Sequence, residues 1–500
     1  MNRPHILFID DGVDTFDFTF NINYDYEILE KNKNFELQKR DIHLDTISHG
    51  TICASIVKKY YPNFICSSLK VLGSKNKKCN IHILCKAVEW CLTKDFDIIN
   101  MSLGTVDIRD SKKLINLINM LSKKTTLVSA ISNKTLITYP SSFSNVIGVR
   151  CTNINHESDL IYCDNSIYGA NFFAKGIHEL QTKNGYTFKT DNVNSFAAPY
   201  VTSLIAKNKL YKKHIHKIIS ILSGCSQINF SSPDYLEKPL VVSPKLKNFD
   251  STICSCPCIF DINEGEKIQK RIKRIDDDTT SVVFIYDNTV NKKQKIYFNK
   301  IALESEYDIS IIDMSDKPVL LKYIELNKHY TYYSRFTKPN YDLTVAGNFK
   351  IPILKLTANT LEDLMSICHS LYNVFINSDY FPCIVLDNPI AYLLGYFYMN
   401  PSDKNSKNYL YELQRTKQAN VIIYGTTEYN KSDLIFKSCP TPDLIININS
   451  KKYEKTICIR ESSRLNSPGK FFLIDKYTRS KNFYIAQIII NILEGREEYE

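Results

Sequence analysis

Short apolar runs alternate with amphipathic stretches through residues 5–206. HILFI at residues 5–9, SLKVL at 68–72, DIINMSLG at 97–104 and TLVSA at 126–130 have the length and composition of strands, and helices are expected between them at 81–92 and 112–121. Unbroken apolar strands suit a sheet that is covered on both faces, and strand–helix alternation favours parallel pairing. We therefore predict an α/β fold with a doubly wound, mainly parallel sheet.

Polar side chains stand where several of these predicted strands end. Asp10 follows the first run, the segment 102–104 ends the third, and Ser132 and Asn133 follow the fourth. In open α/β sheets, ligands bind at the carboxyl ends of the strands. These residues therefore predict a cleft at one edge of the sheet, although Asp10 taken alone is also typical of an aspartate that caps a turn.

Two further stretches place reactive side chains at the starts of helices. Ser195 precedes an alanine-rich apolar stretch, with Pro199 near the first turn, where a missing N–H costs least. The unpaired N–H groups and the positive dipole end of such a helix favour negative charge beside the serine. His49 opens another apolar stretch, HGTICASIV. Each has a plainer explanation when taken alone, a helix-capping serine and a surface histidine.

Together these residues resemble the subtilisin-like serine peptidases, the subtilase family. The matching stretches follow in the family's order: IDDGVD at 9–14, HGT at 49–51, INMSLG at 99–104, AISN at 130–133, YP at 139–140 with VIGV at 146–149, AKG at 174–176, and NSFAAP at 194–199. The order aspartate, histidine, serine is that of subtilisin. The resemblance covers less than half of the chain.

The resemblance implies a role for each matched residue. Ser195 is the expected nucleophile, His49 the general base and then general acid, and Asp10 the group that orients the imidazole. Asn133 is the expected oxyanion-hole donor, together with the backbone N–H of Ser195. The resemblance therefore implies peptide-bond hydrolysis by a Ser-His-Asp triad.

The same resemblance implies where a substrate binds. The backbone of Ser102, Leu103 and Gly104 is expected to pair with an extended peptide. Ala130, Ser132 and Thr138 are expected to line the cleft, and Thr138 stands at a pocket position that is often glycine in the family. We therefore expect a narrow specificity pocket. The matched segments carry no acidic residue that stands out, so a basic residue before the cut is not favoured.

Four residues depart from the family's pattern near the cleft. Val193 and Ser132 stand where glycine is usual, Asn194 where threonine is usual, and Ile52 where a second histidine is usual. None of these changes removes a reacting atom, but each adds bulk or alters a turn. Reduced or very selective activity is therefore expected, and a catalytically silent subtilase fold that binds peptides or acts as a scaffold stays open.

No cofactor and no metal are predicted for the peptidase domain. The loop after His49, which carries calcium in many secreted relatives, is short here, and Asp10 lies close to Met1. We therefore expect calcium-independent folding without autoprocessing.

The composition of the chain favours a cytoplasmic protein with a polypeptide substrate. No apolar run approaches the roughly 20 residues that span a bilayer, and no signal peptide is recognised at the N-terminus. The 15 cysteines are scattered, as is typical of reduced thiols. Lys and Arg number 63 against 53 Asp and Glu, a net charge of +10 that is ascribed to solvated surface. Neither a nucleic-acid partner nor a membrane span is predicted.

The pattern changes in the second half of the chain. We predict a peptidase domain at 1–225, a linker at 226–280 that contains CSCPC, and a second α/β domain at 281–500 with helices at 360–376 and 483–493. Cys254, Cys256 and Cys258 are candidate ligands for a soft metal, although zinc sites more often use two-residue spacings. Residues 281–500 diffusely resemble accessory domains of bacterial peptide-maturation systems, and their role is unknown.

The sequence therefore predicts an intracellular serine endopeptidase, with maturation of a ribosomally made peptide as its specific hypothesis. Residues 281–500 would then hold the precursor peptide or a partner maturation enzyme. The alternative is the silent scaffold.

Overall fold

The computed structural model describes most of the chain in two compact units, residues 1–235 and 236–500. The described residues are 3–15, 18–31, 34–40, 47–72, 79–134, 136–152, 158–163, 169–224, 236–246, 249–255, 257–272, 281–304, 308–319, 330–335, 351–400, 406–427, 442–451, 454–461, 471–474 and 482–494. Among them, no helix is both long enough and apolar enough to cross a membrane.

The first unit alternates strands and helices along the chain. Its strands are β1 (His5–Asp10), β2 (Ile22–Lys31), β3 (Asn34–Lys39), β4 (Ile65–Lys70), β5 (Ile98–Met101), β6 (Thr126–Ala130), β7 (Ile147–Cys151), β8 (Leu160–Tyr162), β9 (Phe172–Ala174), β10 (Glu179–Gln181) and β11 (Thr187–Lys189). Its helices are α1 (His49–Tyr60), α2 (Ile81–Leu92), α3 (Ile108–Ser122), α4 (Asn194–Lys207) and α5 (Ile215–Ser223).

One nine-stranded sheet organises this unit, in the order β3-β2-β4-β1-β5-β6-β7-β9-β8. Across the sheet, every neighbouring pair between β2 and β9 in this order is parallel. The two edge strands, β3 and β8, pair antiparallel with β2 and β9. Because β1, β5 and β6 are parallel neighbours, their carboxyl ends meet at one edge.

Helices cover both faces of this sheet. Along β1, Ile6 and Phe8 belong to one buried cluster, which α1 and α4 complete, whereas Leu7 and Ile9 belong to a second cluster, which α2 and α3 complete. Alternation of this kind follows from the two-residue period of a strand. The α/β fold with a doubly wound, mainly parallel sheet is thus confirmed.

Buried polar contacts fix the loop that follows β1 against the start of α1. The Ser48 hydroxyl donates to the Gly12 carbonyl at 2.8 Å, and the Asp14 N–H donates to the Thr51 hydroxyl at 2.7 Å. Arg40 donates to the Val13 carbonyl at 3.0 Å and forms an ion pair with Asp14, and both of their side chains are almost fully buried. The loop that follows Asp10 is therefore held from several directions.

In its described residues, the second unit forms three further sheets, the smallest of which pairs Leu236–Glu237 with Cys254–Ser255. Its strands are β12 (Leu236–Glu237), β13 (Leu240–Ser243), β14 (Cys254–Ser255), β15 (Cys258–Asp261), β16 (Ser281–Tyr286), β17 (Asp308–Asp313), β18 (Tyr330–Ser334), β19 (Ile353–Ala358), β20 (Pro382–Leu386), β21 (Phe397–Tyr398), β22 (Val421–Thr426), β23 (Leu444–Lys451), β24 (Glu454–Glu461) and β25 (Phe471–Ile474). Its helices are α6 (Gly265–Ile272), α7 (Lys292–Glu304), α8 (Leu361–Asn377), α9 (Ala391–Leu394), α10 (Ser406–Lys417) and α11 (Asn482–Leu493).

A five-stranded parallel sheet has the order β15-β13-β16-β17-β18, and a seven-stranded sheet has the order β21-β20-β22-β19-β23-β24-β25. Only the pairs of β24 with its two neighbours are antiparallel in the larger sheet. Helix α8 begins as the sequence predicts, because the Thr360 hydroxyl accepts the Asp363 N–H. This arrangement is the second α/β set that the sequence predicts.

The segment 226–280, predicted as a linker, differs from that prediction in part. Residues 225–235 and 273–280 lie outside the described residues, but β13 and β15 pair with each other and β13 pairs with β16. The prolines at 239 and 244 indicated a loop, yet the four residues between them, LVVS, are buried in a strand. This part of the segment therefore belongs to the second unit.

We predict that Arg40→Met lowers the free energy of unfolding of the first unit by about 3–5 kcal/mol, because it leaves the buried Asp14 carboxylate without its cation. The measurement is a urea titration followed by fluorescence of Trp90, the only tryptophan in the chain, which lies on α2. Lys86→Met is the matched control, because its ion pair with Glu89 is half exposed and contributes less than about 1 kcal/mol. Equal urea midpoints for the two variants would contradict the proposed anchor.

Candidate active site

The sheet edge brings the three predicted catalytic residues together. Asp10 is the last residue of β1, His49 the first of α1 and Ser195 the second of α4. Nδ1 of His49 lies 2.9 Å from both carboxylate oxygens of Asp10, and its Nε2 lies 2.9 Å from Oγ of Ser195. A carboxylate only accepts hydrogen bonds, so Nδ1 carries the proton and Nε2 of the neutral ring accepts from the serine hydroxyl. This is the geometry of an activated serine.

Backbone contacts hold the His49 end of α1. The Asp11 carboxylate accepts the N–H groups of His49 and Gly50 at 3.1 and 2.8 Å. A Cβ atom on Gly50 would lie 2.4 Å from the Gly12 carbonyl oxygen, so this close approach requires glycine. Burial, with the charge of Asp10 beside it, raises the pKa of Asp11. Asp11 thus ties the helix start to the end of β1.

The charge of Asp10 governs the protonation of His49. Burial opposes protonation of the imidazole, but a charge on Cys53, followed by the charge and hydrogen bond of Asp10, favours it, and together they raise the pKa of His49. Burial also raises the pKa of the Cys53 thiol, so that this residue is neutral at neutral pH. Asp10 is therefore the group that stabilises the imidazolium. The Phe196 ring stacks on the imidazole at 5.0 Å between centroids.

Cys53 is a buried neighbour of the triad that the sequence reasoning missed. One helical turn after His49, its Sγ lies 3.8 Å from His49 Nδ1, 3.8 Å from Asp10 Oδ2 and 3.4 Å from Ser102 Oγ. The four-residue spacing from His49 on a predicted helix was the available signal.

Pro199 determines the surroundings of the Ser195 carbonyl. Position 199 lies inside α4, and its absent N–H is the one that would bond to the carbonyl of residue 195. Instead, the Ser102 hydroxyl donates to that carbonyl at 3.0 Å and the Cys53 thiol lies 3.6 Å from it. The Ser102 hydroxyl in turn accepts from the Asn100 amide at 3.1 Å. The Ser102 side chain therefore secures α4 at Ser195, a role separate from the substrate pairing predicted for its backbone.

Asn133 lies on an exposed turn beside the start of α4. Its Oδ1 accepts the backbone N–H of Asn194 at 3.0 Å. The Ser195 N–H lies in the first turn of α4, where N–H groups have no intrahelical acceptor. The structure thus brings the amide group of Asn133 close to the residue that precedes the serine.

Thr138 fills the space between the two segments predicted to bind substrate. Its hydroxyl accepts the Ser132 N–H at 2.8 Å, while a Cβ on Gly104 would lie 2.6 Å from its methyl group. Thr138 is 3% exposed. Beyond Gly104, the backbone of Thr105 pairs with that of Tyr139, at 2.9 and 2.7 Å.

The remaining predicted cleft residues flank this wall. Ala130 is the buried last residue of β6, and Leu103 packs at the border of the cluster beneath α2 and α3. The predicted site residues therefore gather at the carboxyl ends of β1, β5 and β6, in the segments that follow β5 and β6, and at the starts of α1 and α4.

One group of candidate metal ligands occurs among the described residues. A carboxylate oxygen of Asp10, a ring nitrogen of His49 and Sγ of Cys53 lie within 4.8 Å of one another. A metal there would occupy the atoms that orient the imidazole, so this donor set does not fit a cofactor of the triad. Cys256 of the predicted cysteine cluster lies outside the described residues, while Cys254 and Cys258 begin β14 and β15.

We predict opposite titrations for His49 and His178. The charges of Cys53 and Asp10 raise the pKa of His49 above the ordinary value of 6.5 against the effect of burial, whereas burial lowers the pKa of His178 to about 4. NMR titration of the ring C–H signals, assigned with His49→Gln and His178→Asn, measures both values. Neutral Nε2 is needed to accept a proton, so the reactive fraction rises as the pH passes through the pKa of His49. A His49 midpoint below 6.5 would contradict the role of Asp10.

We predict that Ser102→Ala lowers the free energy of unfolding of the first unit by about 1–3 kcal/mol, because it leaves the half-buried Ser195 carbonyl with only the weak thiol donor. Pro199→Ala supplies a backbone N–H to that carbonyl, so the double variant should recover most of the loss. Trp90 fluorescence in urea measures both variants, with Pro199→Ala alone as the control. Purely additive effects of the two substitutions would refute the shared carbonyl.

Comparison with known proteins identifies the family of the first unit. Residues 4–216 match the family model described as the subtilase family. The Minor extracellular protease Epr of Bacillus subtilis (strain 168) is 26% identical over 174 residues, which are 32% of this chain and 26% of that protein. The match thus spans about a quarter of the length of this relative.

Two solved structures are similar to part of this chain. One is a cold adapted subtilisin-like serine proteinase, 17% identical, with a TM-score of 0.34 over 44% of this chain and 81% of the other. The second is a lanthipeptide protease, 17% identical, with a TM-score of 0.34 over 44% of this chain and 78% of the other. The family-model match carries the resemblance: within the first unit, residues 4–216 are similar to the subtilase family.

Proposed function

We propose that the chain is a serine endopeptidase whose catalytic residues are Ser195, His49 and Asp10. The observation that carries this proposal is the imidazole of His49, whose two nitrogens lie 2.9 Å from the Asp10 carboxylate and from the Ser195 hydroxyl. A serine hydroxyl is a weak nucleophile at neutral pH, and a base oriented in this way removes that limitation.

In the proposed acylation, Ser195 Oγ attacks the carbonyl carbon of the scissile peptide bond while His49 Nε2 takes the hydroxyl proton. The imidazolium is stabilised by Asp10 and then gives that proton to the leaving amine as the C–N bond breaks. In deacylation, water attacks the ester carbonyl of the acyl-enzyme while His49 takes a proton from the water. The ester bond to Ser195 then breaks, His49 gives the proton to Ser195 Oγ, and a carboxylic acid is released. Each proton that His49 accepts is returned, so the enzyme is regenerated.

Charge on the former carbonyl oxygen requires hydrogen-bond donors. We assign this role to the Asn133 side-chain amide and to the Ser195 N–H at the start of α4. The positive end of the helix dipole acts in the same direction. Loss of the oxyanion-hole asparagine of subtilisin raises the activation free energy by about 2.7–4 kcal/mol, and we assign Asn133 a cost of the same order.

The substrate proposed is a polypeptide in extended form with a small residue before the cut. The backbone of Ser102, Leu103 and Gly104 directly follows β5, where it is placed to pair with such a chain. Thr138 occupies the space between Gly104 and Ser132, which leaves little room for a large side chain. Ala130 and Ser132 would complete the wall of the cleft.

Selectivity of this kind suits cleavage at a defined site of a precursor. We therefore extend the proposal to maturation of a ribosomally made peptide in the cytoplasm, with residues 281–500 binding the precursor or a partner maturation enzyme. Incubation of candidate precursor peptides with the full chain tests this extension, with cleavage of the precursor as the measured result.

The test of specificity compares Thr138→Ser with Thr138→Val on a mixed peptide library. Serine removes the methyl group but keeps the hydroxyl that accepts the Ser132 N–H, so we expect cleavage after larger residues at an unchanged maximal rate. Valine keeps the bulk and loses the acceptor, so we expect the small-residue preference to persist at a lower rate. Mass spectrometry of the products reports both results, with Ser195→Ala as the inactive control. A wild-type preference for large or basic residues before the cut would contradict the assignment of Thr138.

A further inference from the structure

The side chain of Asn194 is buried one residue before the proposed nucleophile, with 2% of its surface exposed. Its Oδ1 accepts the N–H of Cys151 at 2.8 Å. Its Nδ2 donates to the carbonyls of Ile131 and Ser132 at 3.2 and 2.9 Å. Both ends of the carboxamide are therefore occupied, and they join the start of α4 to the ends of β6 and β7.

The backbone of Asn194 makes a return contact to the same segment. Its N–H donates to Oδ1 of Asn133 at 3.0 Å. Because an N–H group can only donate, the atom that faces it must be the amide oxygen, and the NH₂ group is then the donor that Asn133 has left to offer. Asn194 thus fixes both the backbone before Asn133 and the direction of its amide.

We propose that Asn194 is a positioning residue that sets the oxyanion donor Asn133 relative to Ser195. The inference rests on the proposed function of the site. Because Asn194 and Ser195 are consecutive in α4, movement of residues 131–133 relative to the serine stretches hydrogen bonds made by Asn194. A misplacement of about 1 Å is enough to cost a catalytic group much of its effect.

Other contacts hold the same segment but do not reach the serine. The Ile131 N–H donates to the Val149 carbonyl at 3.0 Å, and the Ser132 N–H donates to the Thr138 hydroxyl at 2.8 Å. These bonds fix the segment to β7 and to the loop that follows Asn133. Only the Asn194 contacts on this segment come from the residue adjacent to the nucleophile, among the hydrogen bonds of the described residues.

The kinetic test is a double-mutant cycle between Asn194→Ala and Asn133→Ala, on a peptide that the wild type cleaves. We expect Asn194→Ala to lower kcat about 10- to 100-fold with KM changed less than about twofold, because an oxyanion donor acts in the transition state. In the Asn133→Ala background, the same substitution should lower kcat less than about threefold, since its target is gone.

Asn192→Ala is the matched control. Asn192 lies two residues earlier, and its amide also donates to a backbone carbonyl, that of Thr152, at 2.8 Å. This bond attaches it to the segment after β7 rather than to residues 131–133, and we expect its kcat to stay within about threefold of the wild type in both backgrounds. An equal loss of kcat from Asn194→Ala with and without Asn133, or an equal loss from Asn192→Ala, would overturn the proposal.

Amide hydrogen exchange over residues 131–134 tests the same proposal without any catalysis. We expect faster exchange in Asn194→Ala than in the wild type or in Asn192→Ala. Unchanged exchange would overturn the positioning role even in an active enzyme. Faster exchange in a protein that cleaves no peptide would support the tether and count against the proposed peptidase function alone.

Discussion

Parallel pairing of β1, β5 and β6 is the constraint on which the site depends. Neighbouring parallel strands end at the same edge, so Asp10 at the end of β1 lies beside the segments that follow β5 and β6. Those segments carry Ser102 to Gly104 and Ser132 with Asn133. Packing on both sheet faces holds the three strands in register, because a slip of one residue would exchange the side chains that fill the two buried clusters.

The two helices complete the arrangement from one face of the sheet. His49 enters with α1, which Asp11 and the Gly50–Gly12 approach hold against the end of β1. Ser195 enters with α4, whose first turn is held through the carbonyl that Pro199 leaves unbonded and Ser102 occupies. A helix start is a place where backbone groups lack intrahelical partners, so side chains from other elements can attach there. These attachments fix the positions of His49 and Ser195 relative to Asp10.

The sequence predicted β1, β4, β5 and β6 because unbroken apolar runs reflect burial, but it predicted neither β2 nor β3. The family's motifs then supplied Asp10, His49, Ser195 and Asn133, whose spatial proximity no local pattern contains. Cys53 and the side-chain roles of Asn194 and Ser102 were missed for a physical reason. Each depends on contacts between residues far apart in the chain, which composition and periodicity do not report.

In the second half of the chain, the sequence predicted a linker where the structure has a strand. Prolines and serines around residues 239–244 indicated a linker, yet LVVS between the prolines forms β13. Turn-forming residues mark where a strand ends as readily as where a domain ends, and only the pairing with β15 and β16 distinguishes the two. The helix at 361–377 was predictable because the Thr360 cap and the acidic first turn are local signals.

An activated Ser195 is the central claim, and labelling with a fluorophosphonate probe tests it most directly. The probe reacts with a serine only where a base and an oxyanion site cooperate, so it needs no knowledge of the natural substrate. In the wild type we expect one covalent adduct, which mass spectrometry of peptides maps to Ser195. We expect no adduct in Ser195→Ala or His49→Ala. Folded wild-type protein that takes up no probe, or an adduct that persists in His49→Ala at the wild-type rate, would contradict it.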